Sequence, residues 1–369
     1  MDWSKGYSAS YYATTIDTAT WRETGIFPIT GGSIKRESTG KRQSADIQCV
    51  NHPVTVEQWV RIYLDAKQDG ASAHVPLFTG LAASPDTDIN GTLKANTLMC
   101  YSVLKPAEDV VLSRGWYAMA GANGAELVKA LLSVSPAPIV ISGEAPALAD
   151  TIIAEDNETN LSMADRILTA IDWRLRIDGD GTINIMPKST AAVASLDPIE
   201  NDVIETQIKV SADWYSCPNV YMAVSGDMTG IARDESDGPL SIRNRGREVW
   251  QAETGCALGE TESIAAYAMR RLKEAQTVQR KASYNRRFLP EVMPEDVITM
   301  RYPEQGLTGD YTVTNQSITL GYGAKTAENI ATAATLTTAK QREPAVYYLI
   351  DDNADHIVTD DGDRIIIIA

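Results

Sequence analysis

The 369 residues carry a net charge of −16, with 44% apolar and 22% charged content, enough chain for two or three water-soluble cores. That acidity argues against a nucleic-acid binder, which gains affinity by neutralising phosphates with Lys and Arg, but it is compatible with a wall that DNA slides past. No long apolar run and no apolar N-terminal leader occurs, so neither a membrane span nor a signal peptide is expected.

Fifteen Tyr and seven Trp stand against three Phe, a balance that suits half-buried sheets and interfaces because Tyr and Trp carry a polar tip. Residues 1–35 place Trp3, Tyr7, Tyr11, Tyr12, Trp21 and Phe27 among Thr, Ser and Gly, as extended, sheet-forming chain. Residues 34–42 read as an exposed edge or loop. Strands are expected over 45–50, 60–64, 75–81 and 92–104, with a hairpin turn at 67–70. Short strands spaced in this way predict a small sandwich or barrel.

The pattern changes at Asn123, which with Glu126 makes a capping-box-like start; Leu127, Leu131 and Val134 then line one face until Pro136. Ser162 with Asp165 starts a second helix, in which Met163, Ile167 and Ile171 stack. That helix feeds a hairpin, 173–177 and 182–186, through Asp178, Gly179, Asp180 and Gly181. A calcium loop needs more oxygen ligands than this, so the reading is a plain turn.

Strands return at 203–210, 220–225 and 247–253, with 231–247 read as loop. Residues 260–320 form the most regular unit. A helix capped by Thr261 sets Ile264, Ala268, Leu272 and Ala275 on one face and Arg270, Arg271, Lys273 and Glu274 on the other. It is expected to lie over the strands that follow: one with Val278, Ala282, Tyr284 and Phe288 on one side, then 297–302 and 311–320. Arg280, Lys281, Arg286 and Arg287 make the densest basic cluster, read as a solvated strand face or an inter-subunit ion-pair surface.

Residues 326–341 are Ala- and Thr-rich, with little side-chain mass to bury, and read as a linker. After Pro344 an eight-residue pattern repeats, 352–358 against 360–366, each copy a turn followed by a strand. An unpaired apolar terminal strand needs a cover. Asp352, Asp355, Ile357, Asp360, Asp363, Ile365, Ile366, Ile367 and Ile368 are therefore the candidate interaction residues.

No catalytic, cofactor-binding or metal-binding set is expected. There is no GxGxxG, P-loop, GxSxG or HExxH, and nothing selects one carboxylate pair among 49 acidic residues. Cys49, Cys100, Cys217 and Cys256 stand apart, without CxxC spacing, and read as free thiols of a protein assembled in a reducing cytoplasm.

Three places resemble the central hub proteins of phage tails. They are Trp21 with Gly32-Ser33-Ile34-Lys35-Arg36; Asn160-Leu161-Ser162 through Trp173 to Gly179-Asp180-Gly181-Thr182-Ile183; and Arg287-Phe288-Leu289-Pro290 through Pro294-Glu295-Asp296-Val297 to Gly309-Asp310-Tyr311-Thr312-Val313 and Gln316-Ser317-Ile318-Thr319-Leu320. Such hubs usually show Pro-Gly-Asp where this chain has Pro294-Glu295-Asp296.

The resemblance implies a mainly β chain with an α+β insert: a first tail-tube-like β-barrel domain (1–122), an α+β helix-and-hairpin module (123–200), a second β-barrel domain with a packed helix (201–325), and a linker with a C-terminal β arm (326–369). It further implies a homotrimer forming a pseudo-sixfold ring at the virion tail tip, assembled in the host cytoplasm. The ring would join the tail tube and distal tail proteins to a fibre or spike protein held by the arm, and DNA would pass its lumen without specific binding. The competing expectations are a receptor- or glycan-binding tail protein and a cell-wall hydrolase.

Overall fold

The computed structural model describes residues 1–40, 42–50, 56–90, 93–198, 203–205, 207–211, 215, 217–226, 228–256, 258, 262–276, 281–303, 306–332, 346–348 and 366–368. Seven strands come first: β1 (Ser8–Asp17), β2 (Arg22–Pro28), β3 (Gly31–Glu37), β4 (Gln43–Val50), β5 (Gln58–Gln68), β6 (Ala71–Asn90) and β7 (Leu93–Ser102). The α+β stretch follows as α1 (Lys105–Asp109), β8 (Tyr117–Ala118), α2 (Gly124–Leu132), β9 (Ile139–Ile141), β10 (Ile152–Ile153), α3 (Asn160–Ala170), β11 (Trp173–Ile177) and β12 (Ile183–Pro187). Then come β13 (Ala192–Leu196), β14 (Lys209–Ser211), β15 (Val220–Ser225), β16 (Met228–Arg233), α4 (Ile242–Arg245), β17 (Trp250–Thr254) and α5 (Ile264–Gln276). The described chain closes with β18 (Lys281–Arg286), β19 (Val297–Tyr302), β20 (Leu307–Thr319), β21 (Thr326–Thr332), β22 (Val346–Tyr348) and β23 (Ile366–Ile368).

Two compact units form. One holds Met1–Asp213, Gly255–Ser263 and Thr277–Ala334; the other holds Trp214–Thr254, Ile264–Gln276 and Thr335–Ala369. The mainly β expectation holds. In the larger unit, thirteen strands make one sheet in the order β14-β18-β21-β20-β3-β4-β7-β6-β5-β1-β2, with β19 beside β20 and β13 beside β19. The path ends openly at β14 and β2, so among the described residues no sheet closes into a barrel. The early and late strands are thus continuous, yet they bury separate cores. Ile34, Ile47, Ile62, Leu64, Phe78 and Leu98 anchor the first, and Tyr284, Ile298, Met300, Tyr311, Val313 and Ile330 the second.

β20 joins the two cores. Its register with β21 shifts between Val313 and Asn315, and the buried positions change from odd (Tyr311, Val313) to even (Gln316, Ile318). A one-residue bulge resets the alternation in this way. Val313 lies in the late core and Ile318 in the early one.

Residues 34–37 are not an exposed edge, while 38–40 are the expected loop. β3 lies between β20 and β4, with Ile34 and Arg36 buried and Lys35 and Glu37 exposed, so three charges on one short strand disguised an interior one. The linker expected from residue 326 is also corrected at its start. Thr326–Thr332 is β21, paired on both sides by β18 and β20. Glu328 at an inward position made it look solvated.

The α+β helices follow their caps. Asn123 accepts from the Glu126 backbone N–H at 3.1 Å, as expected. The second helix starts earlier than expected, Thr159 accepting from the Ser162 N–H at 3.2 Å. Met163, Ile167 and Ile171 are buried in the module core, and β11 pairs with β12 as the expected hairpin.

In the smaller unit β15 lies between antiparallel β16 and parallel β17. α5 packs on β15 and β16, the strands before it, instead of on those that follow. A side chain at Gly230 would come within 2.5 Å of the Ile264 carbonyl oxygen, so glycine permits the close approach. Glu253 accepts from the Tyr267 hydroxyl at 3.0 Å, from Arg271 Nε at 3.0 Å and from the Tyr221 hydroxyl, tying α5 to β17 and β15. The expected 231–247 loop contains the end of β16 and all of α4.

Candidate assembly interface

Asp352, Asp355, Ile357, Asp360, Asp363 and Ile365 lie outside the described residues. Ile366, Ile367 and Ile368 form β23, whose backbone pairs antiparallel with β22, Val346 opposite Ile368. Among the described residues no three His, Cys, Asp or Glu converge to hold a metal ion, and no helix is long and apolar enough to cross a membrane. All four cysteines are buried, and burial pushes the Cys100 thiol well up.

What the structure does assemble is the seat of the helix-and-hairpin module. The turn Asp178-Gly179-Asp180-Gly181 enters the sheet beside a bulge in β6, where Ile62 faces Phe78 but Tyr63 faces Pro76. The extra residue leaves the Leu77 carbonyl out of the ladder, and Arg36 Nη2 donates to it at 2.5 Å. Gly179 sits so close that an added Cβ would lie 1.9 Å from Pro76 O. Its own carbonyl accepts from Thr79 Oγ1 at 2.8 Å. Asp180 O accepts from Arg61 Nη2 at 2.7 Å and Trp21 Nε1 at 3.3 Å, and Ile177 O from Gln43 Nε2 at 2.6 Å. The turn is therefore a plug, its backbone carbonyls capped by side chains of the early sheet. The Asp178 carboxylate accepts from Arg176 Nε and Asn184 Nδ2, and that of Asp180 from the Thr182 N–H.

A second clamp reaches the late strands. Asp296 accepts from Arg174 Nη2 at 2.9 Å and Arg176 Nη1 at 3.4 Å, and from the Met293 N–H at 2.9 Å. A third is the Arg42–Asp165 pair at 2.9 Å; burial raises the Asp165 carboxyl despite that arginine. Arg36 is 2% exposed, and burial lowers its guanidinium to about 9, with Arg176 and Arg286 adding repulsion.

The basic cluster divides. Arg286 is fully buried on Glu328, which corrects the solvated-face reading; Arg287 Nη1 donates to Ser4 O at 2.6 Å, Lys281 is exposed, and Arg280 lies outside the described residues. Sequence reading named Arg36 and Asp296 only within the hub resemblance and gave neither a contact. The i, i+2 step from buried Ile34 would have pointed Arg36 inward, whereas the Pro294-Glu295-Asp296 turn does not by itself show which arginines Asp296 meets.

No protein-family model matches the chain, and no curated protein matches its sequence. Solved structures do. A tail protein from Neisseria meningitidis MC58 superposes with a TM-score of 0.65 at 15% identity, over 89% of this chain and 97% of its own. The 43 kDa tail protein of prophage MuSo2 from Shewanella oneidensis gives 0.63 at 12% identity, over 88% and 99%. The fold is that of phage tail proteins. Prophage tail protein gp18 from Listeria monocytogenes EGD-e shares it at a TM-score of 0.55 and 11% identity, over 90% of this chain and 95% of its own. The tail-protein fold thus spans the early sheet, the docked module and the late strands together.

Proposed function

We propose that this chain is a non-enzymatic tail hub of a phage virion: a trimer whose two β modules per chain present a pseudo-sixfold face to a hexameric tail tube. The observation that carries this reading is a pair of separate β cores in one chain, made continuous through β20, within a tail-protein fold. A tube-like curl of the early module is supported by its connection. β2 runs into β3 through only Ile29 and Thr30, while β2 pairs β1 and β3 pairs β4, so the chain itself links the two ends of that half-sheet.

In this reading the four proposed domains are 1–122, 123–200, 201–325 and 326–369. The arm from 352 to 368 holds a fibre or spike protein, and the acidic balance lets DNA slide through the lumen during ejection. Particle images of the purified chain, alone and mixed with purified tail tubes, test it. The expected result is a threefold ring with an open channel. Compact particles without a channel under both conditions overturn it, and glycan affinity without a ring supports the receptor-binding alternative.

A further inference from the structure

Arg36 is buried, yet its partners among the described residues are two neutral groups. Nη2 donates to Leu77 O, Nη1 meets the Met293 sulfur at 3.0 Å, and Nε has no partner. A thioether is a weak acceptor, so the Leu77 carbonyl is the one strong acceptor given to a group with five N–H bonds. The other arginines of the seat each have a carboxylate. Arg42 has Asp165 at 2.9 Å, Arg61 has Glu23 at 3.1 Å, and Arg174 and Arg176 share Asp296. The charges acting on Arg36 are mainly repulsive, from Arg176 and Arg286. Asp178 attracts it, but both Asp178 oxygens are taken, by Arg176 Nε at 3.0 Å and Asn184 Nδ2 at 2.9 Å. Burial brings the guanidinium down to about 9, so it stays charged at neutral pH. A buried cation without a counter-charge is strongly unfavourable.

Arg36 also lines a cavity of about 20 Å³. Arg42, whose Nε likewise has no partner, lines it too, with Gln43 and Arg176, half-buried Glu295 on the wall and exposed Glu37 at the mouth. Those two carboxylates do not serve Arg36. Neither pairs with it, and Glu295 is drawn to Arg42, Arg174 and Lys188 while burial raises its carboxyl towards the neutral form. Gln43 gives its amide nitrogen to Ile177 O, and its unpartnered oxygen is an acceptor that an anion must stand clear of. The cavity exceeds the roughly 10–15 Å³ that one water needs, so it takes one monatomic ion and excludes a tetrahedral oxyanion. A water would satisfy the Nε–H and leave the charge uncompensated; a halide does both.

We infer that the seat of the helix-and-hairpin module binds a chloride-sized monovalent anion against Arg36, as the counter-charge of that buried guanidinium. The site goes beyond the hub reading. Two measurements on the full chain test it. One is Tm in sodium chloride, bromide and gluconate at equal ionic strength, on the wild type and Arg36→Gln, the variant subtracting the general effect of each salt. The other is anomalous scattering from wild-type crystals soaked in sodium bromide. The wild type is expected to melt about 2–4 °C higher in about 0.3 M halide than in gluconate, an increment lost in Arg36→Gln. A bromide peak is expected beside Arg36 Nε. An equal increment in both chains overturns the site, as does a bromide-soaked crystal without a peak beside Arg36. A peak there with no halide increment marks an adventitious ion only and overturns it too. Should Arg36→Gln not fold, the wild-type increment and the bromide peak decide by themselves. None of these outcomes bears on the ring, which the particle images test separately.

Discussion

Arg286 and Glu328 meet at 2.6 Å with neither side chain exposed to solvent, on the paired strands β18 and β21. Gln316 Nε2 donates to the same carboxylate at 2.7 Å, and the Tyr284 hydroxyl donates to it as well. A buried pair is costly to break because the surviving charge is left uncompensated. Glu328→Gln is expected to lose about 3–5 kcal/mol in urea unfolding, whereas the double change Arg286→Met with Glu328→Leu recovers most of it.

The same pair sets an acid limb. Burial works to raise the Glu328 carboxyl, but the Arg286 charge and its hydrogen bonds prevail and hold it below its ordinary 4.5. A depressed folded-state value contributes stability above the unfolded value, and that stability is lost as pH falls through the folded one. Tm of the wild type should therefore fall below about pH 4.5, and Glu328→Gln should flatten that limb. Asp165 and Glu295 act in the opposite sense, since burial raises both. Their destabilisation is present above the folded value and relieved as pH drops towards the unfolded one, so Glu295→Gln should raise Tm at pH 7 and change little at pH 4.

Gly179 is a steric test of the plug. A methyl group there meets the Pro76 carbonyl, which belongs to a laddered strand and has little room to yield. Gly179→Ala should cost about 3 kcal/mol or more and expose the β11–β12 hairpin to limited proteolysis. Gly6→Ala, with open space around it, serves as the control and should change neither reading.

Glu295 offers a gain. It occupies the third position of a turn closed by the Asp296 N–H on Met293 O, at φ 68°, where glycine is unstrained. Glu295→Gly removes about 1 kcal/mol of left-handed strain and a half-buried carboxyl, offset in part by the freer unfolded chain. The expected change is a Tm higher by about 1–3 °C in a thermal scan. A Tm that falls would show that the Glu295 side chain holds the turn.

Much of the fold was legible locally. β15 and β19 fall where alternation placed them, Asn123 caps its helix, and the Asp178–Gly181 segment is the turn of its hairpin. Alternation, caps and turns are settled by residues a few positions apart, so the order of amino acids by itself determined them. Interior β3 and β21 were not legible, because each carries a charge at an inward position, and a charge reads as solvent until its partner is known. Those partners are remote. Leu77 O reaches Arg36 across 41 residues, Arg286 reaches Glu328 across 42, and Asp296 reaches Arg174 across 122. The candidate seat of the module was hidden for the same reason: its acceptors are backbone carbonyls, which every sequence has, and only the β6 bulge and the absence of a side chain at Gly179 let them meet Arg36, Arg61 and Thr79. The sequence alone determined the elements set by local pattern, such as β15, β19 and the Asn123-capped helix; only the tertiary structure decided that the charged stretches β3 and β21 are interior strands, because burying a charge is tolerated where a distant segment brings the opposite charge or a free carbonyl to it.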